Sequence, residues 1–144
     1  MSDAKKSTVR QLAVVFVMVA LLLIAGASML QPVQAAAGGA KTFVNRTSSP
    51  VSVSLFVRQG DNPANLVGTV SFDLKAGETK NIQYGNATNI YLSGYSLSAA
   101  FNGATFSQDA TIMVRGSLLD NQWNTNNVFE INFAQSSFTI NAHN

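Results

Sequence analysis

Val51-Ser52-Val53-Ser54-Leu55-Phe56-Val57 is the stretch on which the fold turns. Val51, Val53, Leu55 and Val57 fall on one side of an extended chain, and Ser52 and Ser54 on the other. Successive side chains of a strand point to opposite faces, so this alternation predicts a strand with one buried face. A helical winding would scatter the same four apolar residues around its circumference.

The pattern continues on both sides. Ser48-Ser49-Pro50 turns the chain out of a first short strand, Thr42 to Arg46. Downstream, Leu66 to Leu74 places Gly68, Val70, Phe72 and Leu74 in phase. Thr79 to Tyr84 follows with Ile82 and Tyr84 in phase. The Gly-containing connection Lys75-Ala76-Gly77-Glu78 predicts that these two runs form a hairpin. Ile90 to Leu97 carries conflicting phases: Ile90 and Leu92 prefer one face, Tyr91, Tyr95 and Leu97 the other. Burial on both faces and a bulge at Gly94 each explain that conflict.

Asn102-Gly103 is a turn dipeptide. Ala110 to Arg115 reads as a short strand, with Ile112 and Val114 in phase. Val128 to Phe133 alternates with Phe129, Ile131 and Phe133 inward, and Phe138 to Ile140 forms a last strand. No segment after residue 40 shows a persuasive helical apolar stripe. Seven or eight short strands at this spacing predict an all-β antiparallel β-sandwich, Ig-like or jelly-roll-like, with Ig-like preferred. Val53, Leu55, Phe72, Ile82, Phe129, Ile131 and Phe133 are its expected core.

The N-terminal region has another character. Lys5, Lys6 and Arg10 precede the unbroken apolar run Leu12 to Ile24, and Gln31-Pro32-Val33-Gln34-Ala35-Ala36-Ala37 ends in small residues. This is the pattern of an export signal, with cleavage expected after Ala35 or Ala37. Leu12 to Leu30 is also long enough to approach a bilayer span of about 20 residues, so an uncleaved anchor is the alternative. Either way the basic flank directs the remainder away from the cytoplasm, to the periplasm, the cell surface or the medium. Residues 1–35 thus read as the signal, 36–40 as a flexible linker and 41–144 as one domain.

From Ala36 onward the chain carries six basic and six acidic residues, so the basic balance of the whole sequence belongs to the export segment. A formally neutral domain has no electrostatic footprint for nucleic acid. There is no cysteine, which removes thiol catalysis, Cys-ligated zinc and disulfide support.

Groups suited to catalysis are sparse. The single histidine, His143, is penultimate, where a frayed end orients a general base poorly. Among the acids, Glu130 sits on the polar face of an alternating strand, Glu78 in a turn, Asp73 on an outward position, and Asp109 beside a loop. None lies in an evident apolar pocket, so a carboxylate-dependent hydrolase is the weakest reading. No motif calls for a metal or cofactor.

Asp120-Asn121-Gln122-Trp123-Asn124-Thr125-Asn126-Asn127 is the most unusual segment. Its amides would cap their own backbone in a long polar loop, as Asn and Asp do well. Alternatively, Asp120, Asn121, Trp123, Asn124 and Asn126 would stack on and hydrogen-bond a sugar, making the chain a small carbohydrate-binding module. A calcium loop fails in detail, because Thr125 stands where such a loop needs Gly and Ile131 where it needs Glu. Trp123 also suits a core anchor. Asn45-Arg46-Thr47 and Asn86-Ala87-Thr88 match the N-glycosylation acceptor pattern.

The leading expectation is a non-enzymatic secreted or cell-surface β-sandwich serving as a binding or assembly module. Its partner would be a protein or glycan, or a second copy. The terminal strands Thr42 to Arg46 and Phe138 to Ile140, low in charge, are the expected edges for strand addition.

Overall fold

The alternating run becomes strand β2, Val51–Arg58, with Val51, Val53, Leu55 and Val57 buried. Its outward serines are satisfied by the neighbouring strand: Ser52 Oγ donates to Asp73 Oδ1 at 2.6 Å, and Ser54 and Ser71 hydroxyls pair at 2.8 Å. The structure, a computed structural model, describes residues 38–144. The export segment, the residues just after it and the cleavage point therefore lie outside the described residues.

Around β2 the described chain forms β1 (Gly39–Asn45), β3 (Leu66–Leu74), β4 (Thr79–Tyr84), β5 (Tyr91–Phe101), β6 (Ala104–Thr111), helix α1 (Leu118–Thr125), β7 (Val128–Ala134) and β8 (Ser137–His143). Two four-stranded sheets result, ordered β4-β1-β7-β8 and β3-β2-β5-β6. Every pairing is antiparallel except β1 with β7, which is parallel. The architecture is a mostly-β, two-sheet sandwich.

Val53, Leu55, Ile82, Phe129 and Ile131 are buried as expected, while Phe72 and Phe133 are partly buried against the same core. An aromatic column runs through it: Tyr95 stacks on Trp123 at 4.4 Å, Trp123 on Phe129 at 4.5 Å, and Phe129 on Phe43 at 5.4 Å. A second aromatic group, Phe101, Phe106, Phe133 and Phe138, joins β5, β6, β7 and β8 farther along the strands.

Four expectations are corrected. The Thr42 to Arg46 strand starts earlier, at Gly39, and is internal, hydrogen-bonded to β4 on one side and β7 on the other. Gly39 fits because Tyr84's ring lies where a Cβ would stand. The β3–β4 hairpin does not form: β3 pairs with β2 in one sheet and β4 with β1 in the other. The Lys75–Glu78 turn instead carries the chain between sheets, closed by Glu78 N–H on the Lys75 carbonyl at 3.0 Å. Asn45, fully buried, fixes this corner by donating to the carbonyls of Leu74, Lys75 and Ser49. The strand expected over Ala110 to Arg115 lies upstream, at Ala104–Thr111, paired with β5 across the Asn102-Gly103 turn. Ile112 is buried just beyond it, and the chain then leaves the sheet. The polar loop expected from Asp120 is a helix, α1.

The phase conflict in β5 is a bulge. Phe56 faces Gly94 and Val57 faces Leu92, leaving Ser93 as the extra residue. Leu92, Tyr95 and Leu97 can then all be buried. Gly94 has φ 150°, and a Cβ there would run into the Ala110 carbonyl. Only glycine serves at that position.

Candidate functional site

The starts of β1, β3, β5 and β7 and the finishes of β2, β4, β6 and β8 meet at one end of the sandwich, by strand register. Helix α1 lies there. Ser117 caps it, its hydroxyl accepting from Asp120 N–H at 3.2 Å. Asp120 answers by accepting from Gly116 N–H at 2.7 Å. Two otherwise unpaired backbone donors at the helix start are thereby satisfied.

Asp120 also reaches inward. Its Oδ1 accepts from Asn124 at 2.8 Å and meets Arg58 Nη2 at 3.0 Å. Arg58, at the finish of β2, is 1% exposed and lies 5.4 Å from the Tyr91 ring centroid. Among the described residues its Nε and Nη1 have no hydrogen-bond partner. Burial pushes the Asp120 carboxyl up, but Gly116, Asn124 and Arg58 together outweigh it and hold it below the ordinary carboxylate range. Asn124 completes the seam: it accepts from Leu92 N–H at 2.7 Å and donates to the Leu92 carbonyl at 3.1 Å. A side-chain amide thus serves β5 as a neighbouring strand would.

Lys41 holds the other end of α1. Its Nζ donates to the carbonyl of Asn126, the helix C-cap, at 2.6 Å, and sits 5.3 Å over the Phe129 ring. A cation suits the partial negative charge of a helix C-terminus. Lys41 is nonetheless buried, and among the described residues no carboxylate is paired with it. Desolvation lowers its pKa to about 8.

That shift sets a pH dependence. Between about pH 8 and the ordinary lysine value of 10.5, the unfolded chain keeps the Lys41 proton that the folded protein has released. Stability should therefore rise with pH across this window. Burial raises the Tyr84 pKa to about 12, so folding favours its protonated form and stability falls again above about pH 10. Urea midpoints at pH 7.5, 9 and 10 check this. Lys41→Met should flatten the rise, and a wild type equally stable at all three values would refute it.

Of the five residues singled out from sequence, Asp120 is buried in the ion pair and Asn124 is spent on Leu92. Asn121 donates to the Gly116 carbonyl at 3.2 Å, and Asn126 to the Gln122 carbonyl at 2.9 Å. Trp123 is 1% exposed, between Tyr95 and Phe129. A sugar would need an open indole face, and both faces are covered. The segment works as an internal latch between sheets. Arg58 and Lys41, its two cationic partners, were not among the residues picked from sequence. The helix itself was marked there by Ser117-x-x-Asp120 and by Leu119 and Trp123 one turn apart.

The acids do not converge. Glu130 pairs with Arg46 at 2.6 Å, Asp73 takes the Ser52 hydroxyl, and Glu78 closes its own turn by accepting from Lys75 N–H. Among the described residues, no three of His, Cys, Asp and Glu come together as a metal site. Of the two glycosylation-type asparagines, Asn45 is buried with its amide nitrogen engaged, while Asn86 is exposed.

What remains available is backbone. β3, β4, β6 and β8 are edge strands. β4 carries Lys80, β3 Asp73 and β6 Asp109, whereas Ser137–His143 contains no Lys, Arg, Asp, Glu or Pro, and its pairing to β7 runs without a register shift. Comparison with protein-family models, curated proteins and solved structures finds no match to this chain.

Proposed function

We propose that the chain is an exported, non-enzymatic, Ig-like β-sandwich that assembles by strand addition at β8, with a second copy or an extended segment of a protein partner. The observation that carries this reading is an edge free of formal charge, although Gln122 of α1 occupies one of its carbonyls, that of Ile140, at 3.3 Å. Unpaired N–H and C=O groups on an edge strand template further pairing unless charge, Pro or a bulge blunts them. β8 alone among the four edges lacks formal charge, and it lacks Pro and a register shift besides. The other three edges show that this sequence does place charge on exposed strands. An Ig-like arrangement is supported by two four-stranded sheets whose connections repeatedly cross between them. Export is supported by the basic n-region, the apolar run and the small-residue segment before Gly38.

The test uses protein recovered from the exported fraction, with its N-terminus at Ala36 or Gly38 by mass spectrometry. Light scattering over rising concentration should show association. Thr139→Lys, at an exposed β8 position, should weaken it at least tenfold, and Thr139→Pro should do the same. A wild type that stays monomeric at high concentration and pulls down no partner sensitive to Thr139→Lys would end the proposal.

A further inference from the structure

Backbone register fixes which groups of β8 face its open side. Thr42 N–H donates to the Asn127 carbonyl and Arg46 N–H to the Ile131 carbonyl, both at 2.8 Å. Backbone groups alternate in direction along a strand, so Asn127, Phe129 and Ile131 turn theirs towards β1. Val128, Glu130 and Asn132 are left to bond β8, where they oppose His143, Asn141 and Thr139. The N–H and C=O groups on the open side therefore belong to Phe138, Ile140 and Ala142. The same three residues carry the inward side chains of β8: Phe138 is buried, and Ile140 and Ala142 pack against the core.

Gln122 reaches this side from α1. Its Nε2 donates to the Ile140 carbonyl, the central one of the three, at 3.3 Å. Asn124 serves the opposite sheet in a similar way. β6 pairs with β5 only from Gly94 onward, and beyond that point the Asn124 amide meets both Leu92 N–H and C=O. With two side-chain amides, α1 covers backbone that the strands leave unpaired. The two covers are unequal. Asn124 makes two bonds to Leu92, and the helix is further fixed by Asp120 on Arg58 and by Lys41 on Asn126. Gln122 is partly exposed and makes a single bond to β8, longer than the usual length of about 2.9 Å. Its side chain can swing aside while the helix stays in place.

We infer that the Gln122 side chain is a gate on the β8 edge, which a second copy displaces when it adds its own β8 there. The inference rests on the strand-addition reading and names the occupant and the control of that edge. A second copy fits because β8 is complementary to itself. In antiparallel pairing centred on Ile140, Phe138 lies opposite Ala142 on the inward face, and Thr139 opposite Asn141 on the outward face. Apolar side chains then meet apolar ones and polar meet polar, with no Lys, Arg, Asp or Glu in either strand. At the centre each Ile140 carbonyl exchanges the Gln122 amide for the backbone N–H of the other copy's Ile140.

Light scattering of the exported protein over rising concentration is compared for the wild type, Thr139→Lys, Gln122→Ala and the double variant. Each gate is one net hydrogen bond, worth about threefold or more in an equilibrium constant. Gln122→Ala should therefore associate at least about threefold more tightly than the wild type, and adding Thr139→Lys should reverse the gain. Gln122→Met keeps the stem and loses the donor, so it should match Gln122→Ala, and it takes the place of that variant if the shorter side chain unsettles α1. Gln122 variants no tighter than a wild type that Thr139→Lys still weakens overturn the gate and leave strand addition standing. A gain that Thr139→Lys does not reverse overturns it as well, because Gln122 then guards some other surface. If neither the wild type nor the Gln122 variants associate, the gate and strand addition both fall.

Discussion

Asp120→Ala should destabilise the domain by about 3–5 kcal/mol, the scale seen when one partner of a buried ion pair is removed. The reason is what stays behind. Among the described residues Arg58 already has Nε and Nη1 without partners, and Asp120 Oδ1 is its one carboxylate contact. Deleting that carboxylate leaves a buried guanidinium uncompensated, and also strips Gly116 N–H and Asn124 of an acceptor. Such a loss is a large share of the roughly 5–15 kcal/mol that holds a domain together. Arg58→Met with Asp120→Leu should be less damaging than Asp120→Ala alone, since an apolar pair leaves no orphaned charge. The wild type should show the same dependence under acid. Asp120 is held below the ordinary range in the folded state, so its contribution is present above about pH 4 and lost as pH falls through the folded value. Chemical denaturation of the three proteins at pH 7 decides the matter. An Asp120→Ala variant with an unchanged midpoint would show that the pair is dispensable.

Trp123→Ala should cost a similar amount, about 3–5 kcal/mol, the range for truncating a large buried aromatic residue. The ring fills the space between Tyr95 and Phe129, and no neighbour can collapse into it without breaking the stack. Trp123→Phe should cost less, because the indole Nε1 has no hydrogen-bond partner among the described residues to forfeit. This contrast separates an anchor from a sugar platform. A platform residue would abolish glycan binding with little change in melting temperature, whereas an anchor lowers the melting temperature first. Calorimetry on the two variants tells them apart.

How legible this was in the sequence depends on the range of the interaction. Period-two alternation is a local property, so the inward faces of Val53, Leu55, Phe129 and Ile131 could be read directly. The bulge at Gly94 was legible as a conflict of phases. Strand partnership was not, because Lys75-Ala76-Gly77-Glu78 makes an acceptable turn whether β3 and β4 share a sheet or not. What decides it is Asn45, far upstream, gripping the carbonyls of Leu74 and Lys75. The edge position of β8 was legible and that of β1 was misread, since a parallel partner from the far end of the chain leaves no local mark. In the site, the core-anchor reading of Trp123 holds, whereas the amides around it read as a polar loop. The helix was signalled by the Ser117 cap and by Leu119 with Trp123. The burial of Arg58 and Lys41 was invisible, because their counterparts lie in a distant segment.

The parallel union of β1 with β7 bears on when folding can occur. Thr42 pairs with Val128, and Lys41 closes on Asn126. The first strand of the sandwich therefore waits for nearly the last. Contacts of such sequence separation slow folding, because the intervening loop must be closed before they are rewarded. The β4-β1-β7-β8 sheet cannot be completed until α1 and β7 are available, so a chain delivered from its N-terminus closes that sheet last.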